Sequence, residues 1–408
     1  MNPPAPDSVL NHRPFVLFWF ARVFITIGYH MLVVAMGWQL YALTSDPFDL
    51  GLIGLIQFLP AMALFLVVGQ VTDRYERRLV MVFCQVIETL AAATLLIAFL
   101  TGTITREIIL GAAFILGIAR AFEVTVMQIL VPALVPVPLV PRAVAASATA
   151  NQTAVIVGPA IGGFLYAVGP SVVYGSGLAL FVIAAALVLM IRIERTVPAR
   201  EPFSLKVFFA GFSYIRSHPA ILGVISLDLF AVLLGGVTAL LPVFARDVYD
   251  AGPWALGLLR AAPGLGALTM ALALTRWPIE RGVGKAMFAS VAAFGLSTIV
   301  FALSNSLIVA IVALAVLGAS DMVSVVIRMT VVQLGTPDEL RGRVTAVNGL
   351  FIGASNHFGE FRAGAMAALI GAIPAVLIGG VGTLVITALW MRLFPTLLHV
   401  DRMTSEAK

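Results

Sequence analysis

Charge is scarce in this sequence. Only 11% of its 408 residues are Asp, Glu, Lys or Arg, where a soluble domain carries about 25%. Hydrophobic residues make up 61% and the mean hydropathy is +1.05. No soluble core could hide that much apolar surface, which excludes a large soluble enzyme. Cysteine is almost absent: Cys84 stands alone inside an apolar run. An internal disulfide is therefore impossible, and a thiolate metal site is not expected. The 5 histidines and the few acids are scattered, so no metal is expected either. No signal peptide is expected: MNPPAPDSVLNHR is polar, without a small-residue cleavage site, and the apolar run after it is too long for one. There is no nucleotide-binding loop, no HExxH pair and no Ser or Cys nucleophile set beside a histidine. Neither enzymatic activity nor a cofactor is expected. A channel is disfavoured as well, since no filter-like segment or ring of like charges is visible.

What fills the sequence instead is apolar runs. A helix needs roughly 20 apolar residues to cross a bilayer. Twelve runs read as such helices, near 15–43, 50–72, 79–101, 107–131, 143–167, 171–192, 219–244, 254–275, 284–303, 307–333, 343–370 and 373–396. Turn and charge signals such as TSDPFD, VPVPLVPR, ARDVYDAGP and GTPDELRGR separate them. Short breaks between long runs make neighbours antiparallel. Eighteen lysines and arginines fall at the N-terminus or in alternate loops; the opposite loops hold only Arg106 and Arg246. Cytoplasmic loops carry the excess of positive charge, so both termini are expected in the cytoplasm of a multi-pass protein of a bacterial inner membrane. The net charge of +5 thus reports topology, and no nucleic-acid partner is expected.

The longest break, 193–218, falls at the midpoint. Phe208, Phe212 and Ile215 recur there at helical spacing, with Lys206 and Arg216 nearby. The segment reads equally as an amphipathic helix lying in the membrane interface or as a plain linker. Both readings divide the chain into an N-terminal half, 1–192, and a C-terminal half, 219–408. The halves resemble each other. GLIQFLP at 54–60 aligns with GLLRAAP at 257–263, and Arg142, Gly158 and Gly163 align with Arg343, Gly359 and Gly364. Two duplicated six-helix halves are typical of secondary transporters. The fold class expected is all-α: twelve transmembrane helices in two pseudo-symmetric six-helix halves.

One cluster of charge interrupts the apolar pattern. GQVTDRYERR, between spans 2 and 3, places Gly69, Asp73, Arg74, Arg77 and Arg78 in the arrangement GxxxDRxxRR. This resembles the signature of the major facilitator superfamily. The resemblance implies a cytoplasmic latch: the glycine allows close helix approach, the aspartate caps or pairs with a neighbouring helix, and the arginines add salt bridges. The matching turn of the second half, ALTRWPIERGVGK, departs from the pattern, with Arg276 where alignment puts Asp73. Gly158, Pro159, Gly162 and Gly163 in span 5 resemble the GPxxGG element of antiporters in the superfamily, whose small residues let helices pack tightly. The stretch from Asp321 to Glu360 is similar to a branch of bacterial efflux proteins that includes the enterobactin exporter.

Ten formal charges remain inside the spans: Arg22, Arg120, Arg260, Arg328 and Arg362 against Glu88, Glu123, Asp228, Asp321 and Glu360. Each costs about 2.5–3.5 kcal/mol at the bilayer centre if it faces lipid, so they must pair, protonate or line a wet cavity. Spacing suggests Arg120 with Glu123, Asp321 with Arg328, and His357 with Glu360. Asp228 has no basic residue within reach on its own helix, which makes it the first candidate for a proton carrier or else the partner of an arginine elsewhere. Glu360, Glu123 and Arg120 complete the proton-coupling candidates. In the superfamily, spans 1, 4, 7 and 10 line a central cavity. That implies Arg22, His30 and Trp38 on span 1 and Asp321 and Arg328 on span 10 as cavity candidates; Gln57 and His357 are added as further polar candidates, and Glu88 reads as a packing contact. Aromatic groups such as Trp19 among them suit an amphipathic cargo better than a sugar. The expectation is a proton-coupled exporter of small amphipathic or hydrophobic molecules such as siderophores or drugs, working as a monomer by alternating access. The alternative is a proton-coupled uptake symporter of a small metabolite.

Overall fold

The computed structural model describes residues 8–192 and 205–398, except the side chains of Phe65, Leu66, Asp73 and residues 205–208. Every regular element among these residues is helical. Ten helices are long and apolar enough to cross a membrane. They account for all the expected spans except the second and the eleventh.

The second run, expected as one helix over 50–72, is two: α2 at Pro47–Ala63 and α3 at Phe65–Arg74, separated at Leu64. Pro60 lies inside α2. It has no N–H to give the carbonyl four residues back, and its ring crowds that turn; the helix fails one turn later. Before it runs α1, Arg13–Thr44, and after it α4, Arg77–Leu100. Then come α5, Arg106–Leu130; α6, Val140–Val168; and α7, Pro170–Leu189. Thr105 starts α5 by accepting a bond from the Ile108 N–H, the usual remedy for an orphan donor at a helix start.

The midpoint segment holds α8, Leu205–Ser217; residues 193–204 and the side chains of Lys206 and Phe208 lie outside the described residues. α8 is a helix, one of the two forms expected for this segment, and it also packs on the C-terminal helices. Ile215 is 1% exposed, Phe212 meets the Phe351 ring edge-on at 6.3 Å, and Tyr214 donates to the Gly335 carbonyl at 2.7 Å. Ile215 is buried there, while Phe209 and Phe212 stay exposed.

The seventh run also breaks. α9 covers only Pro219–Gly235, followed by a 3-10 turn at Thr238–Leu240, the single turn α10 at Leu241–Val243 and a wide π turn to Val248. The Gly235-Gly236 pair weakens the helix, and Pro242 lacks the N–H to continue its ladder. There follow α11, Pro253–Arg276; α12, Val283–Leu303; α13, Leu307–Leu334; α14, Asp338–Ile370; α15, Ala372–Leu393; and the short α16, Pro395–Leu398. Pro337 and the first-turn acids Asp338 and Glu339 start α14 five residues before the apolar pattern does.

Residues 8–43 and 56–192 form one compact unit; residues 44–55 with 205–398 form the other. The division differs from the expected halves in assigning 44–55, the start of α2, to the second unit. There Gly51 lies against Gly364 of α14, whose Cβ, if present, would stand 2.7 Å from the Gly51 Cα. Each unit has its own core, one around Phe15, Phe18, Met81 and Met127 and the other around Val224, Met287, Phe288 and Val344.

The internal repeat is legible in close approaches. In the first unit Gly117 of α5 lies on Gln57 of α2; in the second Gly318 of α13 lies on Pro263 of α11. Gly158 of α6 faces Ile27 and His30 of α1, and Gly359 of α14 faces Val232 and Leu233 of α9. Each pair sets equivalent spans of the two halves together, the fourth on the second and the fifth on the first. Lipid supplies no hydrophobic drive to bring helices together, so small residues that let backbones approach do this work.

Candidate functional site

In the first unit a chain of polar side chains links α1, α2, α4, α5 and α6. Arg22 on α1 donates to Ser147 at 2.7 Å and to Asn151 Oδ1 at 3.4 Å, both on α6. Thr26, one turn along, donates to the same Asn151 oxygen at 3.3 Å. On α5, Arg120 meets Glu123 at 2.8 Å, as their spacing suggests. Glu123 is 0% exposed and accepts a second bond from Gln85 Nε2 on α4. The Arg120 guanidinium lies 4.8 Å from the centre of the Tyr29 ring, so a desolvated cation sits on a π face. Tyr29 donates to Gln57 at 3.2 Å and meets the His30 ring edge-on at 5.3 Å. Arg22, Arg120, His30, Gln57 and Glu123 thus come together in one network. Trp38 is half-buried on α1, and its neighbour Gln39 accepts a bond from Tyr166.

Four members of this network escape the sequence reading. Thr26, Gln85, Ser147 and Asn151 are uncharged, and nothing in a single sequence marks them apart from other polar residues in a helix. Glu88 is underrated by it: wholly buried on α4, with neither carboxylate oxygen hydrogen-bonded. The signal was present, since an acid at mid-span needs a reason.

Between α1 and α6 opens a cleft of about 710 Å³. Phe15, Trp19, Val23 and Ile27 form one wall, and Ala150 and Val157 belong to the other. Trp19 Nε1 donates to the Ala146 carbonyl at 3.3 Å and ties the walls together. The lining is mostly apolar, with Thr149 and Thr153 among its few polar groups. Cavities of 300–1,000 Å³ with such linings are typical of small-molecule sites.

In the second unit the expected pairing changes. Asp228 on α9 is not unpaired: it makes an ion pair with Arg328 on α13, and both side chains are almost wholly buried. The expected pair of Asp321 and Arg328 is therefore absent. Their spacing of seven puts them on the same side of α13 two turns apart, a distance a guanidinium reaches less easily than a carboxylate on the adjacent helix. Asp321 is left without an ion-pair partner among the described residues. Elsewhere in this unit His357 Nδ1 lies 3.6 Å from Glu360 on α14. The Glu360 carboxylate occupies the space left by Gly54, where a Cβ would stand 2.5 Å from its Oε2. Arg362 donates to the Leu234 carbonyl near the end of α9. The last carbonyls of a helix lack partners, so this arginine caps the broken seventh span.

In the charged turn Gly69 closes no helix contact: a Cβ there would meet nothing within 4 Å among the described residues, contrary to the close approach that the motif implies. The Asp73 side chain lies outside the described residues. Arg74 is exposed at the end of α3, and Arg77 opens α4. Arg78 contacts Glu76 at 3.0 Å and donates to the Ile191 carbonyl at 2.9 Å, fastening the turn to the chain leaving α7. In α6, Gly162 lies on Met31, 2.7 Å separating its would-be Cβ from the Met31 Cα, and Pro159 and Gly163 are buried beside it.

Comparison with known proteins follows this geometry. A family model described as transmembrane secretion effector matches residues 5–407. The enterobactin exporter EntS of Shigella boydii serotype 4 (strain Sb227) is 28% identical over 386 residues, 92% of this chain and 86% of that protein. Among solved structures, a bacterial homologue of the human lysosomal transporter Spinster, inward-facing and unoccupied, shares the fold. Its TM-score is 0.75 at 14% identity, over 96% of this chain and 98% of that one. The nucleoside transporter NupG gives a TM-score of 0.68 at 16% identity, over 93% and 99%. The helical repeat, the paired charges within the spans and the match along almost the whole chain agree: this protein belongs to the transmembrane secretion effector family, a branch of the major facilitator superfamily of membrane transporters.

Proposed function

We propose that this transporter is a proton-coupled exporter of small amphipathic or hydrophobic molecules. The apolar cleft of about 710 Å³ between α1 and α6, large enough for a drug-sized or siderophore-sized cargo, carries the reading. Cargo with an apolar body lies along Phe15, Trp19 and Ile27, while its polar end meets the hydroxyls of Thr149 and Thr153. Kinship with enterobactin exporters supports the outward direction. The protein works as a monomer in a bacterial inner membrane with both termini in the cytoplasm, which the eighteen-to-two division of loop lysines and arginines supports. The two halves exchange access by rocking, with the GxxxDRxxRR turn as the cytoplasmic latch. Glu123, held by Arg120 and Gln85, is the coupling carboxylate in the first half: cargo and proton compete there, so a proton taken up from outside is exchanged for cargo leaving.

The test is transport in proteoliposomes loaded with a fluorescent amphipathic cargo and made acidic outside. Antiport accelerates efflux of the loaded cargo. Symport instead drives cargo inward and concentrates it. Flux indifferent to the gradient refutes proton coupling in either direction. Glu123→Gln is expected to leave counterflow exchange intact while abolishing the response to pH.

A further inference from the structure

A second, much smaller cavity lies between α9, α12 and α13 of the second unit. It measures about 10 Å³, room for one water-sized occupant. Its polar lining is Asp228 from α9, Ser290 from α12, and Ser320, Asp321 and Ser324 from α13. Ser324 is 3% exposed, and its hydroxyl has no hydrogen-bond partner. A buried hydroxyl aimed into a cavity without a partner indicates an occupant that supplies the missing contact. Ser290 spends its proton on the Met287 carbonyl of its own helix at 2.8 Å, which leaves its lone pairs for the cavity.

Charge narrows the class of occupant. Arg328 and Asp228 cancel each other in their ion pair. Asp321 then leaves the cavity one negative charge in excess. A divalent ion would overshoot that charge, and an anion would double it. Every ligand on offer is an oxygen, the preference of hard cations. A cavity of one water's size favours sodium over the larger potassium ion. We propose that this cavity is a binding site for one sodium ion, with the Asp321 carboxylate as its charged ligand and the hydroxyls of Ser324, Ser320 and Ser290 as neutral ones. The site stands on the second unit's geometry alone, whatever the cargo and direction of transport.

The experiment uses the full chain purified in detergent at about pH 8, where an ordinary carboxylate holds no proton. Sodium chloride is titrated against choline chloride at constant ionic strength, with potassium chloride as a parallel series. Thermal unfolding and equilibrium dialysis with radioactive sodium are the readouts. A ligand bound only by the folded state raises the melting temperature with its concentration. The expected result is a saturable rise in sodium, absent in potassium and choline, with one sodium bound per chain. Ser324→Ala, which keeps all charges, is expected to weaken the half-saturating concentration at least about tenfold, or 1.4 kcal/mol. Asp321→Asn is expected to remove the response. Equal melting temperatures in all three salts with no bound sodium overturn the site, and point to a proton on Asp321 instead. A sodium response that survives both substitutions also overturns it, because the ion then binds elsewhere.

Discussion

Arg328→Leu tests the central electrostatic claim about the second unit. Arg328 and Asp228 face each other across α13 and α9 with side chains 4% and 6% exposed. Removing one partner of a buried pair leaves the other charge uncompensated, which costs about 3–5 kcal/mol. Here the cost falls at the upper end, since Asp321, lining the same cavity, would repel the abandoned Asp228. For a folding unit of this size each kcal/mol moves the melting temperature by about 2–4 °C, so the loss corresponds to roughly 6–20 °C. The assay is thermal unfolding of the purified protein in detergent, followed by tryptophan fluorescence. Asp228→Asn is expected to be milder, because an arginine can recruit water and carbonyl oxygens whereas a bare carboxylate in this apolar setting cannot. The double variant Asp228→Asn with Arg328→Leu should recover much of the loss, because neither charge then remains unmatched. Recovery is the decisive feature: contacting residues couple, distant ones add. If the double variant loses as much as the two singles combined, or if Arg328→Leu alone shifts melting by less than about 2 °C, the pair is not an energetic unit and the reasoning fails.

Other outcomes follow from the packing and the cleft. Gly162→Val should cost about 1–3 kcal/mol by overpacking against Met31, lowering the melting temperature, while Gly69→Ala, opposite open space, should leave it unchanged. Equal damage from both would contradict these approaches. Arg362→Met removes the donor to the Leu234 carbonyl; an orphaned buried acceptor costs about 1–3 kcal/mol, and faster hydrogen exchange should appear selectively at the end of α9. Trp19→Ala removes a wall of the 710 Å³ cleft and its bond to Ala146. It should raise the apparent KM for an amphipathic cargo several-fold with little change in melting temperature, and unchanged KM would place the cargo elsewhere.

The charge pattern within spans shows how far residues in a line can be read. Partners three apart on one helix were legible: Arg120 with Glu123 and His357 with Glu360 fall on shared faces by the geometry of the helix alone. Pairing across helices was not legible. Asp228 reads as solitary because its partner lies 100 residues away on another helix, and Arg328 reads as the partner of Asp321 because only that acid shares its helix. The same limit hid Asn151 and Ser147, which matter only because α6 lies where Arg22 points. The span breaks at Leu64 and Gly236 had visible causes in Pro60 and the paired glycines, but hydropathy alone ran through them.

By itself the sequence determined that the chain is helical, crosses a membrane many times and is built from two related halves. Those properties follow from lengths, periods and charge counts, which are additive along a chain: an apolar run long enough to span lipid must become a helix, because its backbone finds no other hydrogen-bond partners there. The tertiary structure alone decided which buried charge is neutralised by which, and therefore which remains in excess. Inside a bilayer that choice depends on distances of a few ångströms between helices far apart in sequence. In the second unit they bring Asp228 of α9 to Arg328 of α13 and leave Asp321, rather than Asp228, lining the small cavity without an ion-pair partner among the described residues.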